Sequence, residues 1–256
     1  MIRVRSCAKI NWALRITGRR PDGFHDLETV FQTISLHDDL TFEPAERTSL
    51  VCDDPTIPVD ASNLVLRAAA AIDAPPTAIT LIKRIPAGGG LGGGSSNAAA
   101  TLRALGGDRA DLPRIALALG SDVPFFLLGG TAYATGRGEV LTPMPSRPGV
   151  PLLLVLPQER VLTKDAFARI THFSPALGAH AYSDFTNFTN DFEEPVFALL
   201  PHLRAFKERL RDAGANWAGM SGSGSTIVGA FNDIATRDRA ALSFNDVHVA
   251  LCETIA

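Results

Sequence analysis

Pro86-Ala87-Gly88-Gly89-Gly90-Leu91-Gly92-Gly93-Gly94-Ser95-Ser96-Asn97 is the stretch around which the whole 256-residue chain is read. Six of the 22 glycines fall between positions 88 and 94, and the apolar run Ala98-Ala99-Ala100-Thr101-Leu102 follows. Glycine has no Cβ, so its backbone N–H groups approach a ligand closely and positive φ is open to it. Ser95 or Ser96 is expected to cap the helix that follows. A helix N-terminus offers free N–H groups and the positive end of its dipole, so the pattern predicts a phosphate cradle. A flexible hinge is the competing reading, but a hinge has no reason to open straight into a capped apolar helix.

Immediately upstream, Ala78 to Ile85 reads as a strand, which makes the unit strand, glycine loop, helix. The glycines formally satisfy G-x-G-x-x-G, as any dense glycine run does. A dinucleotide fold, and an oxidoreductase built on it, would need a second strand ending in an acid about 20 positions later. Here Gly106-Gly107-Asp108 is followed instead by a helix started by Asp111 and Pro113 and stopped at Gly120. The nucleotide pattern G-x-x-x-x-G-K-[ST] fails because no lysine follows the glycines.

Further out, Lys9 to Ile16 alternates. Ile10, Trp12, Leu14 and Ile16 share one side of a strand, and Lys9, Asn11, Ala13 and Arg15 share the other. By pattern alone the Lys9 side is an ordinary solvated face. Only four of the 24 basic residues are lysines (Lys9, Lys83, Lys164 and Lys207), so each is a candidate for a specific role. Pro21-Asp22-Gly23 marks a turn, and Phe24-His25 after it is either simple packing or a clamp for a flat ring. Strands are expected through Val30 to Ile34, Leu40 to Glu43 and Leu50 to Cys52, then a helix capped by Ser62. Asp122, between the Gly120 stop and Val123-Pro124-Phe125-Phe126, is either a structural cap or a buried carboxylate that needs a partner. Strands follow at Thr131 to Thr135 and Val140 to Thr142. The proline-rich stretch Pro143 to Pro151 is the best linker candidate, which suggests domains at 1–147 and 148–256. Beyond it lie a strand at Leu152 to Leu156 and a capped helix from Thr163 to Ile170. Helices near Val196 and Leu203 to Ala213 follow, then a hairpin around Ser221-Gly222-Ser223-Gly224-Ser225, a helix capped by Asp233 and a last strand.

Composition narrows the field. Apolar content of 46% and charged content of 20% suit a globular protein with a real core. A net charge of −3 without a basic block argues against nucleic acid as a partner. No apolar run approaches the roughly 18 residues that span a bilayer. Met1 to Arg5 lacks the apolar segment of a signal peptide, and Cys7, Cys52 and Cys252 show no metal or disulfide spacing, so a reducing cytoplasm is expected.

In this order, Ala8-Lys9-Ile10-Asn11, Asp22-Gly23-Phe24-His25, Pro86 to Asn97, Gly120 to Phe126, Thr189-Asn190-Asp191 and Met220 to Ser225 resemble the GHMP kinase superfamily. The resemblance implies an α+β chain of two domains. The N-terminal one is similar to a ribosomal-protein S5 domain and binds ATP; the C-terminal one is ferredoxin-like. The Asp-Gly-aromatic-His and Gly-Ser-Asp-Val-Pro-Phe-Phe motifs resemble the branch that phosphorylates the 2-hydroxyl of a cytidine-diphosphate-linked methylerythritol. That branch serves the non-mevalonate isoprenoid route; kinases of mevalonate, homoserine or sugars, or a catalytically silent nucleotide sensor, are the alternatives. The likeness implies Asp122 as the base and Lys9 as its cationic partner. It places ATP, with Mg2+, on Pro86, Ala87, Gly88, Gly89, Gly90, Leu91, Gly92, Gly93, Gly94, Ser95 and Ser96, without choosing between the serines as phosphate or metal contacts. Asn11, His25 and Thr163 match substrate contacts, and Phe24 and Phe167 match two aromatics that sandwich the cytosine. Phe24 stands where the branch usually has tyrosine, and the Gly106 to Asp111 connection is short. No dedicated protein metal site is implied, and the oligomeric state is left open.

Overall fold

The computed structural model describes residues 1–256, apart from the side chain of Phe185. The chain opens with two long strands, β1 (Ile2–Arg19) and β2 (His25–Pro44), followed by β3 (Ser49–Cys52), α1 (Leu64–Ala71) and β4 (Thr77–Ile82). Helices α2 (Gly93–Gly106), α3 (Leu112–Leu119) and α4 (Val123–Leu128) lead to β5 (Thr131–Thr135), β6 (Val140–Met144) and β7 (Pro151–Leu156). Then come α5 (Thr163–Phe167), α6 (Glu193–Leu199) and α7 (Pro201–Asp212). The hairpin β8 (Trp217–Met220) and β9 (Ile227–Ala230), α8 (Ile234–Ala241) and β10 (His248–Glu253) complete the chain. The class is α+β.

Two compact units divide the chain, each assembled from separated segments. The first holds Met1–Ala8, Leu36–Ala87 and Gly92–Gly129; the second holds Lys9–Ser35, Gly88–Leu91 and Gly130–Ala256. In the first, the far half of β2 pairs antiparallel with β4 from Asp39↔Ile82 to Pro44↔Thr77, and β3 runs parallel to β4. Leu40, Phe42, Leu50, Val65, Ile79, Leu81 and Ala100 form its core, burying α1 and α2 against these strands. In the second, the near half of β2 pairs with β5, and β5 pairs with β6. A separate antiparallel sheet runs in the order β10-β7-β9-β8. Its Leu153, Val155, Met220 and Ile227 pack with Val196, Phe197, Leu203 and Leu210 of α6 and α7. Central β7 is buried along its whole length, as a continuous apolar run with neighbours on both edges should be.

Several local expectations change. Strand β2 is one element of 20 residues where two short strands were expected. The polar stretch His37-Asp38-Asp39 does not interrupt it and sits where the strand exchanges β5 for β4 as its partner. The Lys9 side of β1 is not solvated: Lys9 is 4% and Asn11 2% exposed. Asn63, rather than Ser62, caps α1, its Oδ1 accepting from the Val65 N–H at 2.9 Å. Helix α5 stops at Phe167 and follows Leu162 without a side-chain cap.

Candidate active site

Between β4 and α2 the glycine stretch forms a loop, and α2 begins at Gly93 behind Gly92 in the left-handed conformation, φ 71°. No side chain caps this helix. That corrects the expected serine cap: Ser95 and Ser96 lie inside the first turn. The Ser96 hydroxyl donates to the Cys7 carbonyl at 2.6 Å and accepts from Ser6 Oγ at 2.7 Å, tying the helix start to β1. Uncapped N–H groups and the dipole at this end form a site suited to an anion.

Within the second unit, Lys9 is held from several sides. Its Nζ donates to Asn11 Oδ1 at 2.6 Å and to the Gly90 carbonyl at 2.9 Å, and it lies 5.3 Å from the Phe31 ring centroid. The Lys9 N–H donates to Leu91 O at 3.0 Å. Burying an ammonium costs several kcal/mol unless oriented dipoles replace its water, and these groups do so. The Asn11 amide is itself fixed, its Nδ2 donating to Thr29 Oγ1 at 2.7 Å. The Asn11 side chain thus links Lys9 to Thr29.

The Ser-Gly hairpin between β8 and β9 closes this corner. Ser221 Oγ donates to Gly90 O at 2.9 Å, and a Cβ placed on Gly90, φ +77°, would overlap the Ser221 carbonyl. Asn190 Nδ2 donates to both Met220 O (2.7 Å) and Gly222 O (2.8 Å), while its Oδ1 accepts from the Phe192 N–H at 2.9 Å. Glu193 Oε1 takes the Met220 N–H at 2.9 Å, and its other oxygen pairs with Lys207 at 2.5 Å.

At the near end of β2, His25 stacks on Phe167 with centroids 4.7 Å apart and planes 12° from parallel. Burial, then the Arg19 charge, lowers the His25 pKa below its ordinary value. Phe24 is 51% exposed and lies under the Arg137 guanidinium, 4.6 Å from its ring centroid. Phe167 faces His25, while Phe24 lies against Arg137. Exposed Thr163 places its Oγ1 3.1 Å from Ser223 Oγ in the Ser-Gly hairpin. Three residues beyond His25, buried Glu28 accepts from Tyr133, from Tyr182 (3.2 Å) and from the Leu177 and Gly178 N–H groups (2.8 and 2.9 Å). Burial pushes the Glu28 carboxyl up, but these hydrogen bonds outweigh it and hold its pKa below the ordinary value. Both tyrosines are pushed well above the usual phenol range, by burial first and then by Glu28.

Asp122 belongs to the first unit, half-buried between α3 and α4. It occupies the N-cap position of α4, yet its side chain makes no capping bond, so helix capping does not account for it. Sequence reasoning assigned no role to Ser221, Asn190, Glu28 or the Lys83–Asp38 pair. The scarcity of lysine was the available signal for Lys83, and the Thr189-Asn190-Asp191 motif for Asn190. Among the described residues no three His, Cys, Asp or Glu side chains cluster to hold a metal.

Two family models match the chain: the GHMP kinases N terminal domain over residues 63–130 and the GHMP kinases C terminal domain over 165–249. The 4-diphosphocytidyl-2-C-methyl-D-erythritol kinase of Chlorobium phaeobacteroides (strain BS1) is 42% identical over 278 residues, covering 98% of this chain and 97% of the relative. That of Solibacter usitatus (strain Ellin6076) is 44% identical over 258 residues, covering 90% and 81%. A crystal structure of 4-(cytidine 5'-diphospho)-2C-methyl-D-erythritol kinase superposes with a TM-score of 0.87 at 36% identity over the full length of both chains. The mevalonate kinase of Methanococcus jannaschii, TM-score 0.71 at 13% identity over 100% and 98% of the chains, shares the fold.

Proposed function

Since the chain belongs to the 4-diphosphocytidyl-2-C-methyl-D-erythritol kinases of the GHMP kinase family, we propose that the open N-terminus of α2 receives the ATP phosphates and that Asp122 activates the acceptor hydroxyl. The reaction is the ATP-dependent phosphorylation of 4-diphosphocytidyl-2-C-methyl-D-erythritol in isoprenoid precursor biosynthesis. The observation that carries the assignment of parts is the uncapped helix end behind left-handed Gly92. Such an end binds an anion without any side-chain charge.

In this reading the acceptor is the 2-hydroxyl. Its proton passes to the Asp122 carboxylate as its oxygen forms a bond to the γ-phosphorus. The bond from that phosphorus to the bridging oxygen breaks, leaving ADP and the 2-phosphate. Phosphoryl transfer depends mainly on positioning and charge neutralisation, which fits the loop N–H groups and the pre-oriented Lys9 ammonium. Mg2+ enters with ATP as part of the substrate, held chiefly by phosphate oxygens and water. Because Ser96 is taken up by Cys7 and Ser6, Ser95 supplies the hydroxyl toward phosphate or metal. Phe24, His25 and Phe167 receive the cytosine of the cytidine diphosphate group, the base parting the His25–Phe167 stack, and Thr163 lies toward the substrate. One family model falls on each side of Pro143 to Pro151, which supports sequence domains at 1–147 and 148–256, although the compact units draw on separated segments. The setting is cytoplasmic; no helix among the described residues is long and apolar enough to cross a membrane.

Mass spectrometry of reactions with ATP and a panel of 4-diphosphocytidyl-2-C-methyl-D-erythritol, mevalonate and homoserine tests the reading. Monophosphorylation of the cytidyl substrate alone is expected, blocked when the 2-hydroxyl is replaced by hydrogen. Phosphate on another hydroxyl, or on mevalonate or homoserine instead, would overturn it.

A further inference from the structure

We infer that Asp38 is a positioning residue for ATP, its buried carboxylate pinning both ends of the glycine loop; the inference rests on that loop being the nucleotide site. Asp38 lies in β2 with 0% exposure. Its Oδ1 accepts the backbone N–H groups of Arg84 at 2.7 Å and Ile85 at 2.8 Å, the last two residues before Pro86. Its Oδ2 receives the Lys83 ammonium and, at 3.0 Å, Nδ2 of Asn97, the residue directly after Ser96. One carboxylate thus collects donors from the chain entering the loop and from the helix leaving it.

The chemistry explains why an acid occupies this interior position. A carboxylate is acceptor-only and takes four donors on its two oxygens, which an amide cannot do. Lys83 neutralises it, and a Cβ on Gly93 would lie 3.3 Å from Lys83 Nζ, so the pair sits against the first residue of α2. Between Ile85 and Asn97 the chain holds six glycines, the residues with most conformational freedom to lose. A loop of that composition presents converging N–H groups only if its ends are fixed, and prior fixing lowers the entropy that binding must overcome. Asp38 does not reach the phosphates itself. It acts through the loop.

The test compares Asp38→Asn, Asn97→Ala and Gly92→Val in the full-length enzyme, by ADP titration calorimetry and by separate KM values for ATP and the cytidyl substrate. In Asp38→Asn an amide nitrogen faces Lys83 and Asn97, donor against donor. About a tenfold weaker ADP Kd and higher ATP KM are expected, a loss of the size typical of charged hydrogen bonds, with the cytidyl KM unchanged. Asn97→Ala, which frees only the helix-side end, should move the same constants about threefold in the same direction. It also carries the test if Asp38→Asn does not fold. Both KM values rising together would mean general loosening and overturn the inference. Wild-type ADP affinity in the Asp38 and Asn97 variants, with loss in Gly92→Val, would overturn it while leaving the ATP loop in place. Wild-type ADP affinity in Gly92→Val would remove the loop as the nucleotide site and the inference with it.

Discussion

Lys9 is oriented before any substrate arrives, since Asn11 and Gly90 already hold its ammonium and Thr29 holds Asn11. A cation fixed in this way needs no reorganisation as charge develops, which is where electrostatic catalysis gains most. With Asp122 as the base, Asp122→Asn should lower kcat about 10²–10⁴-fold and leave the KM for the cytidyl substrate nearly unchanged. Steady-state kinetics at saturating ATP checks this, and wild-type turnover would remove Asp122 from the role. His25 gives a pH signature. Its pKa lies below 6.5 because burial and Arg19 disfavour the imidazolium, so the ring is neutral at pH 7. Protonation becomes significant only below pH 6.5, where it places a positive charge on the half-buried ring beside Phe167 and near Arg19. The KM for the cytidyl substrate should therefore change as pH falls from 6.5 toward 5, and His25→Gln should flatten that profile. An unchanged profile in the variant would place the titration elsewhere.

At the scale of elements, the glycine loop and the Ser-Gly hairpin are fitted to each other. Gly90 combines positive φ with a backbone neighbour that leaves no room for a methyl group. Gly90→Ala should cost at least about 1–3 kcal/mol of stability, the usual range for such strain, and raise the ATP KM as the loop shifts. Thermal melts and kinetics on one preparation would show both. Glu28 is the corresponding fastening for the segment after α5, collecting two phenols and two backbone N–H groups. Because its folded pKa is lowered, its contribution is complete at neutral pH and is lost as pH falls through that lowered value. Glu28→Gln removes the charge at every pH and should release Leu177 and Gly178 by about 1.5–3 kcal/mol. Faster limited proteolysis between residues 171 and 183 at pH 7 is the expected readout; an unchanged cleavage rate would count against the fastening.

Over the whole molecule, each compact unit carries its own apolar cluster. In the second, Leu152 to Val155 of β7 are all at 0% exposure. Leu153→Ala should cost about 2–5 kcal/mol, the range for emptying a packed leucine site. A thermal melt of the full-length protein should show a lower midpoint, and an unmoved one would mean the site is less tightly packed than its burial indicates. Neither unit is a continuous stretch of chain, because β1 and β2 each contribute to both. A sequence read in order registers proline-rich stretches such as Pro143 to Pro151, whose two ends pair within β6 and β7 of the second unit. It does not register a strand shared between two units.

The α+β class came with the family resemblance, whereas the residues themselves predicted the strand–loop–helix unit and a phosphate cradle. Both predictions follow from local rules: alternation, glycine density and helix starts. The sequence also singled out Lys9, Asp122 and His25 through their motifs, and Phe167 through the family resemblance. Tertiary structure decided what no spacing reports, namely which donors converge on which acceptors. It turned the Lys9 side of β1 inward, moved the helix cap from a serine to Gly92, paired Phe167 with His25, and gave Asp38 and Glu28 their partners. Hydrogen bonds between residues 45 to 154 positions apart in the chain depend on the packing of whole elements. For the glycine stretch, composition suffices to predict a phosphate site. The residues that hold that site in shape are visible only in three dimensions.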